Sequence, residues 1–230
     1  MKRIGILGGM SWESSQEYYR VMNQTVKDRL GQTHSANCLL YSFDFHQVEQ
    51  LQHLGKWDDL TKLMVEEAKN LKKAGADFIV IATNTMHLMA PAIEKETGLK
   101  VLHIAEATGQ DILQRDLSKV LLLGTKFTME GTFYRQTLEA MGIEVMIPDP
   151  TDRQVVHDVI YNELILGTLD ERSKQAYIDI IEKAARQGAQ GVVLGCTEIP
   201  LLIQGGDVSI EVLDTTQIHS VAAVAYALEK

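Results

Sequence analysis

The 230-residue chain predicts an α/β protein made of two tandem units, each a parallel sheet flanked by helices. Three observations carry that reading. Short apolar runs alternate with amphipathic stretches of helical length, the pattern of parallel strands covered on both faces. The alternation restarts near residue 117. The chain also repeats itself at a nearly constant offset, the mark of a duplicated unit. Gly75-Ala76-Asp77-Phe78-Ile79-Val80-Ile81-Ala82-Thr83-Asn84-Thr85 lies without a gap over Gly188-Ala189-Gln190-Gly191-Val192-Val193-Leu194-Gly195-Cys196-Thr197-Glu198, 113 positions later, so Thr83 falls opposite Cys196. Residues 4–8 lie over 120–124 at an offset of 116, bringing Tyr18 onto Tyr134, and Val101-Leu102 lies over Val212-Leu213 at 111.

Taken in order, residues 3–8 form an apolar run ending in Gly8-Gly9, a strand and its turn. Ser11 to Glu13 supplies helix-start chemistry for a helix over 14–30. A strand over 38–43 precedes a loop or short helix over 44–49. The amphipathic stretch 58–74 is a helix closed by Gly75. A buried strand over 78–82 leads into a helix over 84–97 interrupted near Pro91, then a strand over 101–104 and a helix over 105–115. The second pass places strands at 119–123, 144–147, 192–194 and 211–213. Its helices cover 129–141, 154–166, 173–187 (closed by Gly188) and 216–228, with a further helix starting at Thr197 or Glu198.

Composition narrows the function. A net charge of −9 argues against nucleic acid as a partner, which needs a basic stripe. No apolar run approaches the roughly 20 residues of a membrane span, and residues 4–7 are too short for a signal-peptide core. Cys38 and Cys196 are the only cysteines, which fits a reducing, cytoplasmic setting. The seven histidines form no H-E-x-x-H or comparable cluster, so no metal is expected. G-x-G-x-x-G and the P-loop are both missing, so Gly8-Gly9 reads as a tight turn and no nucleotide cofactor is expected.

Ligands of parallel sheets sit beyond the carboxyl ends of the strands. That rule groups Gly8-Gly9, Thr83, Gly124-Thr125 and Cys196 around one expected cleft. Cys196 follows a buried run and Gly195, just before Thr197-Glu198. Backbone N–H groups at a helix start favour negative charge and lower a thiol pKa from about 8.5 toward neutrality. The competing reading is a small buried apolar residue; the echo of Thr83 tips the balance toward chemistry. Acid/base groups on opposite sides of a cleft can take a proton from one face of a carbon and return one to the other face, as α-carbon inversion requires. Amides after Thr83 and Cys196, with Asn84, Thr85 and Thr197, would hold the developing charge or a substrate α-carboxylate.

Gly8-Gly9-Met10-Ser11-Trp12-Glu13, Thr83-Asn84-Thr85-Met86-His87, Gly195-Cys196-Thr197-Glu198-Ile199 and Asp214-Thr215-Thr216 together resemble the cofactor-independent aspartate/glutamate racemase family, in order and through nearly the whole chain. The resemblance implies two flavodoxin-like lobes related by a pseudo-two-fold, an active site in the cleft between them, no pyridoxal phosphate and a homodimer. It also implies a C-terminal strand and helix returning to the first lobe, hence lobes of 1–116 with 213–230 and of 117–212. The substrate would be a small acidic amino acid. Met10, Ser11, Gln52, Asn84, Thr85, Thr125, Thr197 and Glu198 would bind it, and Cys196 and Thr83 would be the catalytic pair.

Two departures from the family pattern matter. The family usually has cysteine where this chain has Thr83, whose hydroxyl does not ionise near neutral pH. That change is similar to the L-aspartate/glutamate-specific branch, and implies Cys196 as the base acting on the L-enantiomer. Aspartate-selective relatives place an Arg and a Lys against the side-chain carboxylate, where this chain carries Gln52 and Ile165; Lys126, Arg135 and Arg153 are possible replacements. Other readings stay open: a maleate isomerase, hydantoin racemase or arylmalonate decarboxylase type of enzyme, or an amino-acid-binding protein of weak turnover. Elsewhere the structural reading leads. His87 and Cys38 are expected to pack, Tyr18, Tyr19 and Tyr134 to seat helices on sheets, and Asp214 and His219 to serve a strand–helix junction.

Overall fold

The structure, a computed structural model, describes residues 1–229. Its elements in chain order are β1 (Ile4–Gly8), α1 (Trp12–Leu30), β2 (Cys38–Ser42), α2 (Phe45–His53), α3 (Trp57–Lys73), β3 (Phe78–Ile81), a 3-10 turn (Thr85–Met89), α4 (Ala90–Thr97) and α5 (Ile104–Gln114). The second series is β4 (Lys119–Leu123), α6 (Lys126–Glu130), α7 (Thr132–Ala140), β5 (Glu144–Met146), α8 (Pro150–Asn162), a 3-10 turn (Leu164–Leu166), α9 (Glu171–Arg186), β6 (Gly191–Leu194), α10 (Ile199–Leu202), β7 (Glu211–Asp214) and α11 (Thr215–Leu228). Every strand pairing is parallel, in one sheet ordered β2-β1-β3 and another ordered β5-β4-β6-β7. The expected α/β architecture of two parallel sheets flanked by helices is what the chain forms.

The sequence repeat becomes a repeat of register. Leu7 pairs with Ile81 in the first sheet and Leu123 with Leu194 in the second. Val101 bridges Ile79 just as Val212 pairs with Val192. Both faces of β1 and β3 are buried, which is why these strands read as continuous apolar runs, while the edge strand β2 is half-buried to exposed. Along each strand successive side chains alternate between two cores. Leu7, Ile79 and Ile81 pack with Val48, Met64 and Ile93. Ile4, Ile6, Phe78 and Val80 pack with Tyr18, Met22, Ala223 and Val224. In the second sheet Leu121, Leu123, Val192 and Leu194 face a core with Val156, Tyr177 and Ile181.

Several expected elements differ in detail. The strand over 101–104 reduces to the single Val101 bridge, because α5 already starts at Ile104. The helix over 129–141 is two helices broken at Gly131, whose extended backbone (φ −65°, ψ 146°) interrupts the helical hydrogen bonds. Helix α8 begins at Pro150, earlier than expected. Asp149 caps it by accepting from the N–H of Thr151 and Asp152 at 3.0 Å each, and proline is well tolerated in a first turn. Pro91 likewise sits in the first turn of α4, after a 3-10 turn.

The chain divides into two compact units, residues 1–104 with 219–230 and residues 105–218. The boundaries expected at 116 and 212 therefore move. Helix α5 belongs to the second unit, where Tyr134 donates to the Thr108 hydroxyl at 3.1 Å. Strand β7 also stays there, paired with β6. Only α11 from His219 onward joins the first unit, so the return expected of both strand and helix is made by the helix alone.

Candidate active site

In the first unit the nominated residues gather at the carboxyl ends of β1 and β3. The Ala82 N–H donates to the Leu7 carbonyl at 2.9 Å, which sets Thr83 beside the Gly8-Gly9 turn. Gly9 has φ +82°, a conformation glycine adopts without strain, and its N–H donates to Ser15 Oγ at 2.7 Å. Ser11 caps α1 by accepting from the Ser14 N–H at 3.3 Å. Met10, Ser11, Asn84 and Thr85 are buried and Thr83 is half-buried. Gln52 is buried with its amide donating to Met86 Sδ at 3.2 Å. It therefore supplies a neutral donor already in contact with sulfur, and no charge.

In the second unit the same construction recurs around β4 and β6. The Gly195 N–H donates to the Leu123 carbonyl at 2.7 Å. A Cβ on Gly195 would stand 2.7 Å from that same oxygen, and one on Gly124 would stand 2.9 Å from the Gly195 carbonyl. Two glycines are thus needed for the strand ends to approach so closely at Cys196. Thr125 occupies the N-cap position of α6 without a side-chain capping bond to the helix, and its hydroxyl lies 3.4 Å from that of Thr128.

Cys196, Thr197 and Glu198 are joined by hydrogen bonds. The Sγ–H donates to Glu198 Oε2 at 2.9 Å, and the Thr197 hydroxyl donates to the same oxygen at 2.9 Å. Glu198 is buried, Cys196 and Thr197 half-buried. Burial pushes the Cys196 thiol well above its ordinary value; the Glu198 charge and the hydrogen bond to it push further. The N–H groups of Glu198 and Thr197 pull the other way and lose. The expected thiol near neutrality is therefore corrected: the resting group is a thiol. Helix α10 starts only at Ile199 and is four residues long, too short for a strong terminal field.

The three cations considered as replacements all lie in the second unit with neighbours of their own. Arg153 donates to Glu130 at 3.0 Å and to the Pro148 carbonyl at 2.7 Å. Arg135 lies 3.6 Å from Glu139, and Lys126 bonds Gln154. Among the described residues there is no cluster of His, Cys, Asp and Glu arranged to hold a metal, and no helix long and apolar enough to cross a membrane.

His87 packs and His219 serves its strand–helix junction as expected, but their particular contacts were not read. His87 and His219 are buried in the first unit, with His103 beside them. The Tyr18 hydroxyl lies 2.8 Å from His219 Nδ1, and His219 Nε2 lies 2.8 Å from the Leu102 carbonyl. Tyr18 and Tyr134 were matched by the repeat as helix-packing residues. Each does more, bonding positions 219 and 108 that are themselves 111 apart. That shared offset was the one available signal.

The family model for Asp/Glu/hydantoin racemases matches residues 7–223, and the chain belongs to that family. A Yersinia pestis structure described as that of a candidate Asp/Glu racemase is 52% identical, with a TM-score of 0.94 and full coverage of both chains. An aspartate racemase homologue from Pyrococcus horikoshii is 37% identical over the full length of both, with a TM-score of 0.86. The broad specificity amino-acid racemase RacX of Bacillus subtilis is 24% identical over 93% of this chain and 92% of its own. Of these three, the Bacillus subtilis relative is the one named as an amino-acid racemase, and its specificity is broad.

Proposed function

We propose that the chain is a cofactor-independent racemase of acidic amino acids, in which Cys196 removes the α-proton of the L-enantiomer. The observation that supports this most is the Cys196–Glu198 contact at 2.9 Å, placed at the very position that the internal repeat gives to Thr83. A buried thiol is a poor base until it loses its proton, and Glu198 is the acceptor within reach. The proton passes from Sγ to Oε2; the thiolate then takes the α-hydrogen and the electron pair moves into the substrate carboxylate. Reprotonation from the opposite face, by Thr83 or a water beside it, gives the D-enantiomer; Glu198 then releases its proton to solvent, and the donor on the Thr83 side regains one from solvent, which closes the cycle. Threonine is a weak acid, so this second step is the slow one. Asn84, Thr85 and Thr197 with the adjoining amides hold the carboxylate as charge develops. Met10, Ser11, Gln52 and Thr125 complete the substrate contacts. Glu198, already accepting two hydrogen bonds, serves the thiol and not the substrate's anionic end.

The same reading includes a homodimer in the cytoplasm and membership of the L-specific branch marked by Thr83. Its test is chiral chromatography of L- and D-aspartate, L- and D-glutamate and maleate incubated with the wild type, Cys196→Ala and Thr83→Cys. Racemisation by the wild type, its abolition in C196A and faster handling of D-substrates in T83C are expected. Faster conversion of maleate than of any amino acid would replace this reading with an isomerase.

A further inference from the structure

Next to Thr83 stands a column of rings, buried at His87, His219 and Tyr18 and half-buried at His103. His103 and His87 have centroids 4.9 Å apart, His87 and His219 5.4 Å, and His219 and Tyr18 5.6 Å, all edge to face. Hydrogen-bond chemistry fixes the protons within it. His87 Nδ1 lies 2.8 Å from the Thr83 carbonyl, and a carbonyl only accepts, so Nδ1 carries the hydrogen. His219 Nε2 faces the Leu102 carbonyl at 2.8 Å and carries its hydrogen there, which leaves Nδ1 to accept from Tyr18. Burial and the neighbouring His219 and His103 hold His87 well below the ordinary histidine range, so the neutral ring is the relevant form. His87 Nε2 is buried with no hydrogen-bond partner among the described residues. The polar contacts of the ring are therefore with backbone alone: the Thr83 carbonyl at Nδ1, and Asn84 next to it.

We infer that His87 is a positioning residue for the Thr83 side of the reaction: its Nδ1–H holds the Thr83 carbonyl and thereby aims the hydroxyl or its water at the substrate. The inference rests on the racemase reading above. It belongs to one half of the repeat only. The offset of 113 sets Pro200 opposite His87, and proline has no side-chain donor. The asymmetry between the halves then extends past Thr83 and Cys196. One half couples a thiol to a carboxylate; the other couples a hydroxyl to a loop held by an imidazole.

The test is a partition ratio measured in deuterated water: D-aspartate formed per deuterium incorporated into recovered L-aspartate. Being a ratio of two products of the same enzyme, it does not depend on how much of a variant folds. Loss of the clamp in His87→Leu should lower the ratio roughly tenfold, in line with the cost of misplacing a reacting group, while incorporation into L-aspartate continues. Asparagine puts an N–H donor at the Nδ1 position and glutamine at the Nε2 position, so H87N should restore the ratio and H87Q should not. A ratio unchanged in H87L, or restored equally by H87Q, would overturn the inference. The ring itself is read separately in the unaltered protein by two-bond proton–nitrogen correlation. A hydrogen on Nδ1 of His87 is expected, and one on Nε2 would overturn the clamp whatever the kinetics. A wild type that incorporates no deuterium at all would instead refute the racemase reading.

Discussion

The chemistry at Cys196 turns on a competition between desolvation and hydrogen bonding, and desolvation prevails. A carboxylate two residues away accepts the thiol proton, yet its charge opposes forming a second anion beside it. Glu198→Gln separates these roles. Removing the negative charge favours the thiolate, so the pH curve for alkylation of Cys196 by iodoacetamide should shift to lower pH. Removing the proton acceptor should lower racemisation by on the order of 10²-fold. A curve that stays in place, with turnover intact, would show that Glu198 does neither. The residue types of this site were legible from the chain, because Gly195-Cys196-Thr197-Glu198 sits at a strand end and has an internal counterpart. The state of the thiol was not. It depends on the packing of Tyr177 and the second-unit core around the sulfur, which no local pattern encodes.

Among the elements, α11 and the turn after β3 carry the polar interior of the first unit. Burial holds His219 down to about 4, with His103 adding to the effect and the Leu102 carbonyl opposing it; His87 is lowered too. Both rings are neutral when folded, whereas in the unfolded chain each takes up a proton below about pH 6.5. The unfolded state therefore binds more protons in that window, and stability falls as the pH drops from about 6.5 toward 4 and is fully present above it. The His219 contribution lost by pH 4 is on the order of 3 kcal/mol. Urea midpoints measured from neutral pH downward should fall across this window and fall less in His219→Gln; identical curves for the two proteins would contradict the assignment. Strands were read well because buried apolar runs are local. The strand over 101–104 was overestimated because the apolar run alone does not reveal that α5 begins at Ile104. The link from Tyr18 to His219 joins positions 201 residues apart and had no local trace.

For the whole molecule, the duplicated pattern pointed to two parallel sheets, while strand order, register and the unit boundaries needed coordinates. Each half ends in a helix counted with the other unit. Helix α5 supplies Thr108 to Tyr134, and α11 supplies His219 to Tyr18. A chain ending at Ile218 would lose Ala223, Val224 and Ala227 from the core that holds Ile4, Ile6 and Val80. Hydrogen exchange should then find β1 and β3 unprotected while β4 and β6 keep their protection; equal protection of all four would contradict this division. The functional asymmetry between the halves, a thiol in one and a hydroxyl in the other, is the central claim, and the initial rate of deuterium incorporation from heavy water tests it most directly. The α-carbon of L-aspartate or L-glutamate should exchange well ahead of that of the D-enantiomer, and all exchange from the L-form should vanish in Cys196→Ala. Equal rates for the two enantiomers, or exchange from the L-form surviving in that variant, would contradict the account.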